Sequence, residues 1–130
     1  MSLPDGMKLI DLDEERPFFT LRSTFISFSI KSVKMLGYAP YVHVYLDEKR
    51  RTVAFQACEE DGQAVEFYHK PEQGKQALIR IASKKLCQKL MEMGGKEVKT
   101  GGIRYYGTFL EEDRALLFDL SHGEPCHIRS

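Results

Sequence analysis

Apolar and polar residues alternate along most of the chain with a period of two, as is typical of β-strands, and this pattern becomes helical in two places. Residues 78–90 (LIRIASKKLCQKL) begin as a strand and continue as a helix that Ser83 is expected to cap. Residues 25–37 (FISFSIKSVKMLG) follow the same plan, with Ser29 before the helix and Gly37 after it. The chain is therefore predicted to contain two copies of a strand that leads directly into a short helix.

A β-hairpin is predicted after each helix, because two alternating segments are joined by a short polar turn in each case. The first hairpin comprises residues 41–46 (YVHVYL) and 52–57 (TVAFQA), and the second comprises residues 103–110 (IRYYGTFL) and 115–120 (ALLFDL). The remaining segments are predicted strands at residues 18–22 and 64–69, and a polar tail from residue 121 that we expect to be frayed. This pattern favours a β-rich α+β domain.

The two copies align with an offset of 53 residues, which places Ile26 on Ile79 and Phe28 on Ile81. Each copy has one apolar face, which needs a partner to cover it. We therefore interpret the chain as two similar halves that cover each other; the alternative is chance similarity between two common β-α-β-β patterns. The predicted boundaries are a flexible lead at residues 1–17, expected to be partly a cloning remnant, and one domain at residues 18–130 with halves at 24–58 and 77–120.

The repeated order of strand, helix and hairpin resembles the AbrB and MraZ swapped-hairpin barrel family. In that family the first strand often has the sequence Gly-Arg-Val-Xxx-Ile-Pro; here residues 79–83 (IRIAS) keep the alternation and the arginine and lack Gly and Pro. Residues 26–29 (ISFS) contain no arginine. The resemblance covers residues 24–120, with residues 64–69 as an insertion between the halves, and implies a barrel-like domain with a DNA-binding role. The chain is also similar to groups of small bacterial or phage proteins, which implies no activity.

Length and composition are those of one soluble globular domain: 130 residues, of which 42% are hydrophobic and 29% charged. No apolar run approaches the roughly 18 residues of a membrane span, and the N-terminus lacks the pattern of a secretory signal. Three cysteines leave at least one thiol unpaired, which favours a reducing compartment. We therefore expect a cytoplasmic protein without membrane association.

Charge is unevenly distributed, although 19 basic and 19 acidic residues give a net charge of zero. Residues 75–104 hold eight basic and two acidic residues, whereas residues 58–73 hold five acidic and one basic. A basic segment of this kind attracts the phosphates of a polyanion. The alternative is a solvated helix face beside an acidic loop.

The predicted nucleic-acid-binding residues lie in or next to the two helices: Arg80, Lys84, Lys85, Lys89, Lys31 and Lys34. Lysines can contact phosphates, and Arg80 is the candidate for contact with base edges, provided that its side chain points outward. The neutral overall charge argues against strong non-specific binding. Tyr105 and Tyr106 could stack on bases, but adjacent strand residues face opposite ways, so only one of them can face a ligand.

Other chemistry has less support in the sequence. His122, Cys126 and His127 supply only three of the roughly four ligands that zinc prefers. The possible nucleophile–base pairs lack a supporting motif: Cys58 or Cys87 with His43 or His69. We therefore expect no metal, no cofactor, no small-molecule substrate and no enzymatic activity.

These observations predict a non-enzymatic DNA-binding or transcription-regulatory protein whose partner is duplex DNA. The alternative is a protein-interaction or assembly module without a nucleic-acid role, which would form a homodimer.

Overall fold

The computed structural model describes residue 6 and residues 16–71, 73, 79–98 and 101–126. Apart from Gly6, Arg16 and Pro17, the predicted N-terminal lead lies outside the described residues, and so do residues 77 and 78 of the second predicted copy. Within the described ranges, no helix is both long enough and apolar enough to cross a membrane.

The described residues form nine strands and two helices. The strands are β1 (Phe18–Leu21), β2 (Ile26–Phe28), β3 (Tyr41–Asp47), β4 (Thr52–Cys58), β5 (Val65–Glu66), β6 (Arg80–Ile81), β7 (Ile103–Leu110), β8 (Ala115–Asp119) and β9 (Glu124–Pro125). The helices are α1 (Ile30–Met35), between β2 and β3, and α2 (Lys84–Gly94), between β6 and β7. The predicted helices and hairpins are therefore present in the predicted order.

All strand pairs are antiparallel and belong to one sheet in the order β5-β3-β4-β8-β7-β1-β2-β6, with β9 paired to β7. The sheet is barrel-like and nearly closed, which confirms the β-rich, barrel-like part of the predicted fold. The two hairpins are neighbours in the sheet, where β4 of the first pairs with β8 of the second; β3 also pairs with β5, and β7 with β1.

The core contains a group of aromatic rings centred on Phe19, which is fully buried. The centroid of its ring lies 4.7 Å from that of Phe118, 5.4 Å from that of Tyr105 and 5.9 Å from that of Phe55. The rings of Phe19 and Phe118 meet edge to face, a favourable geometry for aromatic pairs. Because these residues come from β1, β4, β7 and β8, the group joins both hairpins to the first strand.

The β2–β6 ladder is symmetric under the offset of 53 residues. Ile26 pairs with Ile81, and the backbone N–H of Phe28 donates to the carbonyl of Ile79 at 2.9 Å. Ile79 lies 53 residues after Ile26, and Phe28 lies 53 residues before Ile81. The offset therefore converts the first pair into the second. We call this ladder, with the loop residues on either side of it, the β2–β6 seam.

Both predicted helix starts are confirmed. The Ser29 hydroxyl accepts from the N–H of Ser32 at 3.3 Å, and the Ser83 hydroxyl accepts from the N–H of Leu86 at 3.2 Å. Gly37 has the predicted left-handed conformation after α1, with φ of 67°. Each cap satisfies an N–H that has no partner within its own helix.

The end of α2 is held by a side chain from a distant hairpin. Arg51 Nε donates to the carbonyl of Met93 at 2.6 Å, and its Nη2 donates to the carbonyl of Gly94 at 2.8 Å. Carbonyls in the last turn of a helix have no partner within the helix, and a cation there also interacts favourably with the helix dipole. The contact therefore fixes α2 against the turn between β3 and β4.

The structure modifies two predictions about single segments. Of the strand predicted at residues 64–69, only β5 (Val65–Glu66) is formed, and it pairs with β3. The chain after residue 120 is not entirely frayed, because β9 pairs with β7 through Pro125 and Ile103, and the N–H of Cys126 donates to the carbonyl of Gly102 at 2.9 Å. Residues 127–130 lie outside the described part of the chain.

Candidate nucleic-acid interface

The strands of the β7-β1-β2-β6 part of the sheet alternate between core and surface. Phe19, Leu21, Ile26, Ile81 and Tyr105 are buried on the inner side. The opposite side carries side chains that are polar, basic or aromatic, of which Thr20 is buried and the others are at least partly exposed: Phe18, Thr20, Phe25, Ser27, Arg80, Arg104 and Tyr106. We call this surface, together with Arg16 and Arg22 at its margins, the arginine–aromatic face.

One row of this face crosses four strands. Arg104 lies opposite Thr20, Thr20 opposite Ser27, and Ser27 opposite Arg80. Neighbouring strands are about 4.8 Å apart, so the backbones of Arg104 and Arg80 are about 14 Å apart. The row therefore has one arginine at each end, with the buried Thr20 and the partly exposed Ser27 between them.

Each aromatic ring of this face has an arginine next to it. The guanidinium carbon of Arg104 lies 4.0 Å from the centroid of the Phe18 ring, and that of Arg16 lies 5.3 Å from the Tyr106 ring. Arg80 lies 5.1 Å from the ring of Phe25. These distances are within the range of cation–π attraction, which is strongest when water is partly excluded. Each of these arginines is thereby held beside a ring.

Arg22 also lies beside the Phe25 ring, 5.8 Å from its centroid. Phe25 is therefore next to two guanidinium groups, one from the loop between β1 and β2 and one from β6. This arrangement combines a planar apolar surface with two positive charges.

A depression of about 420 Å³ occupies the β7 side of the face, lined by Arg16, Phe18, Arg104, Tyr106 and Glu124. The pKa of Arg104 is raised, mainly by the Tyr106 side chain and to a lesser extent by Cys126 and Glu124. Arg104 Nε is buried and has no hydrogen-bond partner within the described part of the chain. Arg104 is therefore charged and positioned largely by stacking on Phe18.

Of the residues predicted from the sequence, Arg80 lies on this face and is exposed. Lys84 and Lys85 are exposed in the first turn of α2, and Lys31 and Lys34 lie on α1. Because β2 and β6 are antiparallel and each leads into its helix, α1 and α2 begin at opposite ends of the β2–β6 seam. The structure thus places Arg80 between the two pairs of lysines.

Lys89 has a different environment from the other predicted lysines. Its ammonium group pairs with the carboxylate of Glu48 on the β3–β4 turn, and this hydrogen bond is the main cause that raises its pKa. Lys85 and Lys89 also line a groove of about 590 Å³ between α2 and β3, whose apolar wall includes Val44 and Leu46. Part of the basic surface of α2 is therefore directed toward β3.

Sequence reasoning missed five residues of the arginine–aromatic face: Arg16, Arg22, Phe18, Phe25 and Arg104. The missing information was strand pairing, because these residues come from three separate segments. A usable signal was nevertheless present, since β1 and β7 each alternate in sequence and Thr20, Arg104 and Tyr106 fall on the polar side of that alternation. As expected from that alternation, Tyr105 is buried and only Tyr106 faces outward.

His43 and Asp61 form the main side-chain pair elsewhere on the described surface, with His43 Nε2 2.7 Å from Asp61 Oδ2. Hydrogen bonds from the Gln63 N–H and from His43 lower the pKa of Asp61. Burial, and then the Asp61 charge, raise the pKa of the neighbouring Cys58 thiol, which disfavours the thiolate that a nucleophilic cysteine needs. The surroundings of Cys58 therefore do not activate its thiol as a nucleophile.

We expect the thiols to react slowly in the native protein. Cys87 is fully buried and burial raises its pKa, so a thiol reagent at neutral pH should modify it only after denaturation. Cys58 should react in the native state, with a rate that keeps rising as the pH passes the ordinary thiol pKa. Timed alkylation followed by peptide mass mapping measures both rates. Fast labelling of Cys87 without denaturant would show that the packing around α2 is wrong.

No group of three or more His, Cys, Asp or Glu side chains in the described ranges is placed to hold a metal ion. His127, one of the three C-terminal residues considered above as metal ligands, lies outside those ranges.

Comparison of the chain with protein-family models finds no matching family, and comparisons with curated proteins and with solved structures find no match.

Proposed function

We propose that the protein binds nucleic acid through the β2–β6 seam and acts as a non-enzymatic DNA-binding or transcription-regulatory protein. The observation that carries this proposal is the pairing of two segments that are basic and free of carboxylates. Residues 17–46 contain no Asp or Glu, and neither do residues 79–91. Their basic residues are Arg22, Lys31 and Lys34 in the first segment and Arg80, Lys84, Lys85 and Lys89 in the second.

Pairing of β2 with β6 brings these segments side by side. Positive charges on adjacent segments reinforce one another, because neither segment contains a carboxylate; the Glu48 carboxylate, from the β3–β4 turn, pairs only with Lys89 among them. Such a surface attracts phosphates, and each phosphate contact releases bound counterions. The zero net charge of the whole chain is compatible with this, since a ligand at the surface responds mainly to the local potential.

The decisive measurement is fluorescence anisotropy of a labelled duplex at low salt. Relative to the unmodified protein, Arg80→Glu combined with Lys84→Glu should weaken binding about tenfold or more, and should lower the slope of log affinity against log salt by about 1 to 2. Lys49→Glu combined with Arg114→Glu, on the two exposed hairpin turns, makes the same change in net charge and should leave affinity within about twofold. Absence of binding by the unmodified protein to duplex and single-stranded DNA alike, or equal losses in the two double variants, would contradict the proposal.

The ion pair between Lys89 and Glu48 allows two lysines of the same helix to be compared. Lys89→Gln should weaken binding less than Lys84→Gln, because the ammonium group of Lys89 is already neutralised by a carboxylate. If the two substitutions weaken binding equally, the ion pair with Glu48 does not keep the ammonium group of Lys89 from contacting a phosphate.

We also propose that the fold is the swapped-hairpin barrel that the sequence resembles. Its support is the pairing of β4 in the first half with β8 in the second, together with the symmetric register of the β2–β6 seam. A cytoplasmic location is proposed as well, supported by the three cysteines, which are all free thiols. The assembly alternative, a homodimer without a nucleic-acid role, stays a prediction; light scattering over a concentration series tests it.

A further inference from the structure

Aromatic rings on the outside of a sheet call for an explanation in terms of binding. Phe18, Phe25 and Tyr106 lie on the outer side of three adjacent segments, and all three rings are partly exposed. The inner side of the same strands already supplies a closely packed aromatic core around Phe19. The outer rings are therefore not needed to form that core.

The ligand chemistry that fits these rings is a flat, unpaired base. In a duplex, the faces of the bases are covered by their neighbours, so outward-facing rings on a sheet cannot stack on them. In single strands the faces are available, and proteins that bind them combine aromatic side chains on a sheet with arginines along the backbone. The arginine–aromatic face has both components, with Arg80 and Arg104 at the two ends of one row.

We propose that the ligand of this surface is single-stranded nucleic acid, with bases stacked at Phe25 and in the depression beside Tyr106. This inference rests on the proposed nucleic-acid binding and specifies its substrate class. A base either displaces the guanidinium from the ring or stacks on the guanidinium plane, and in both cases the arginine stays near a phosphate.

Glu124 adds a carboxylate to the lining of the depression, beside Arg16 and Arg104. A carboxylate accepts hydrogen bonds from exocyclic amino groups such as that of cytosine, so this residue favours a base in the depression. The volume of about 420 Å³ lies within the range of small-ligand sites. The phosphates are then expected near the charges of Arg80 and Arg104; of the two polar side chains between them, Ser27 is partly exposed and Thr20 is buried.

The test compares three labelled probes by anisotropy under the same conditions: a deoxycytidine oligonucleotide and a cytidine oligonucleotide of about 20 nucleotides, and a duplex of equal length. At least one single strand should bind about tenfold more tightly than the duplex. Phe25→Ala and Tyr106→Leu should each weaken single-strand binding about 5- to 150-fold, the effect of losing one stacked base, while duplex binding changes less than about twofold.

Matched variants separate stacking from loss of structure. Tyr106→Phe keeps the ring and should bind normally, and Tyr45→Ala removes an aromatic residue that is 53% exposed on β3 and should have no effect. The thermal unfolding midpoint of each variant shows whether the fold is kept. If Phe25→Ala unfolds, Phe25→Leu replaces it in the comparison.

The outcomes distinguish the two proposals. Binding of the duplex alone overturns the single-strand inference and leaves the proposed function in place. Absence of binding to all three probes overturns both. Single-strand binding that is insensitive to Phe25→Ala and Tyr106→Leu overturns the assignment of the stacking site.

Discussion

Replacement of Phe19 by alanine is expected to destabilise the protein by about 3–5 kcal/mol, the usual cost of removing a buried phenylalanine side chain. The ring is fully buried and is surrounded by the rings of Phe28, Phe55, Tyr105 and Phe118, at centroid distances from 4.7 to 6.0 Å. Aromatic pairs contribute about 0.5–1.5 kcal/mol beyond burial, so loss of several at once favours the upper part of that range.

Urea unfolding followed by circular dichroism measures this loss as a lower midpoint at an unchanged slope. Phe18→Ala is the matched control, because Phe18 precedes Phe19 in the same strand and lies on the outer side. Its removal should cost about 1 kcal/mol, from a partly buried ring and one cation–π contact. Equal losses for the two variants would contradict the assignment of inner and outer sides to β1, and with it the arginine–aromatic face.

Structural features that depend on residues close together in the sequence could be predicted from it. The two hairpins follow from alternation and polar turns, and the helix starts follow from Ser29 and Ser83, whose side chains need only an N–H three residues later. Short strands were much harder to assign. β5 and β9 have two residues each, too few for a period to be visible, and they exist because β3 and β7 offer free backbone groups beside them.

The candidate interface depended on pairings between distant segments, which no local pattern encodes. Arg80 was identified because it lies in a basic stretch, but its neighbours Arg22 and Phe25 come from the other half of the chain. Arg104 shares a row with Arg80 only because β7 pairs with β1, and β1 with β2. Conversely, the count of positive charges in the α2 segment overstated the contribution of Lys89, because Glu48 comes to it from a distant turn.

A second large effect is expected from Gly102→Ala at the entrance to β7. Gly102 has φ of +82°, which costs other residues about 1–2 kcal/mol, and its position leaves no room for a side chain. A Cβ there would lie 2.6 Å from the carbonyl oxygen of Leu21 and 2.9 Å from Thr20 Cγ2. Because the nearest atom belongs to the backbone of β1, relief requires β1 and β7 to separate, and overpacking of this kind adds about 1–3 kcal/mol. We expect a total loss of about 2–5 kcal/mol in urea unfolding.

Two other glycines separate the causes of this loss. A Cβ at Gly62 would have no heavy atom within 4 Å, and the backbone there is not in the left-handed region. Gly62→Ala should therefore leave the free energy of unfolding almost unchanged. Gly95→Ala meets only Arg51 Nη2 at 3.6 Å but has φ of 67°, so it should show the backbone cost alone, about 1–2 kcal/mol. If Gly102→Ala is no worse than Gly95→Ala, the close approach of β1 and β7 is incorrect. The row that joins Arg104 to Arg80 through Thr20 would then lose its structural basis, because that row exists only while those two strands are paired.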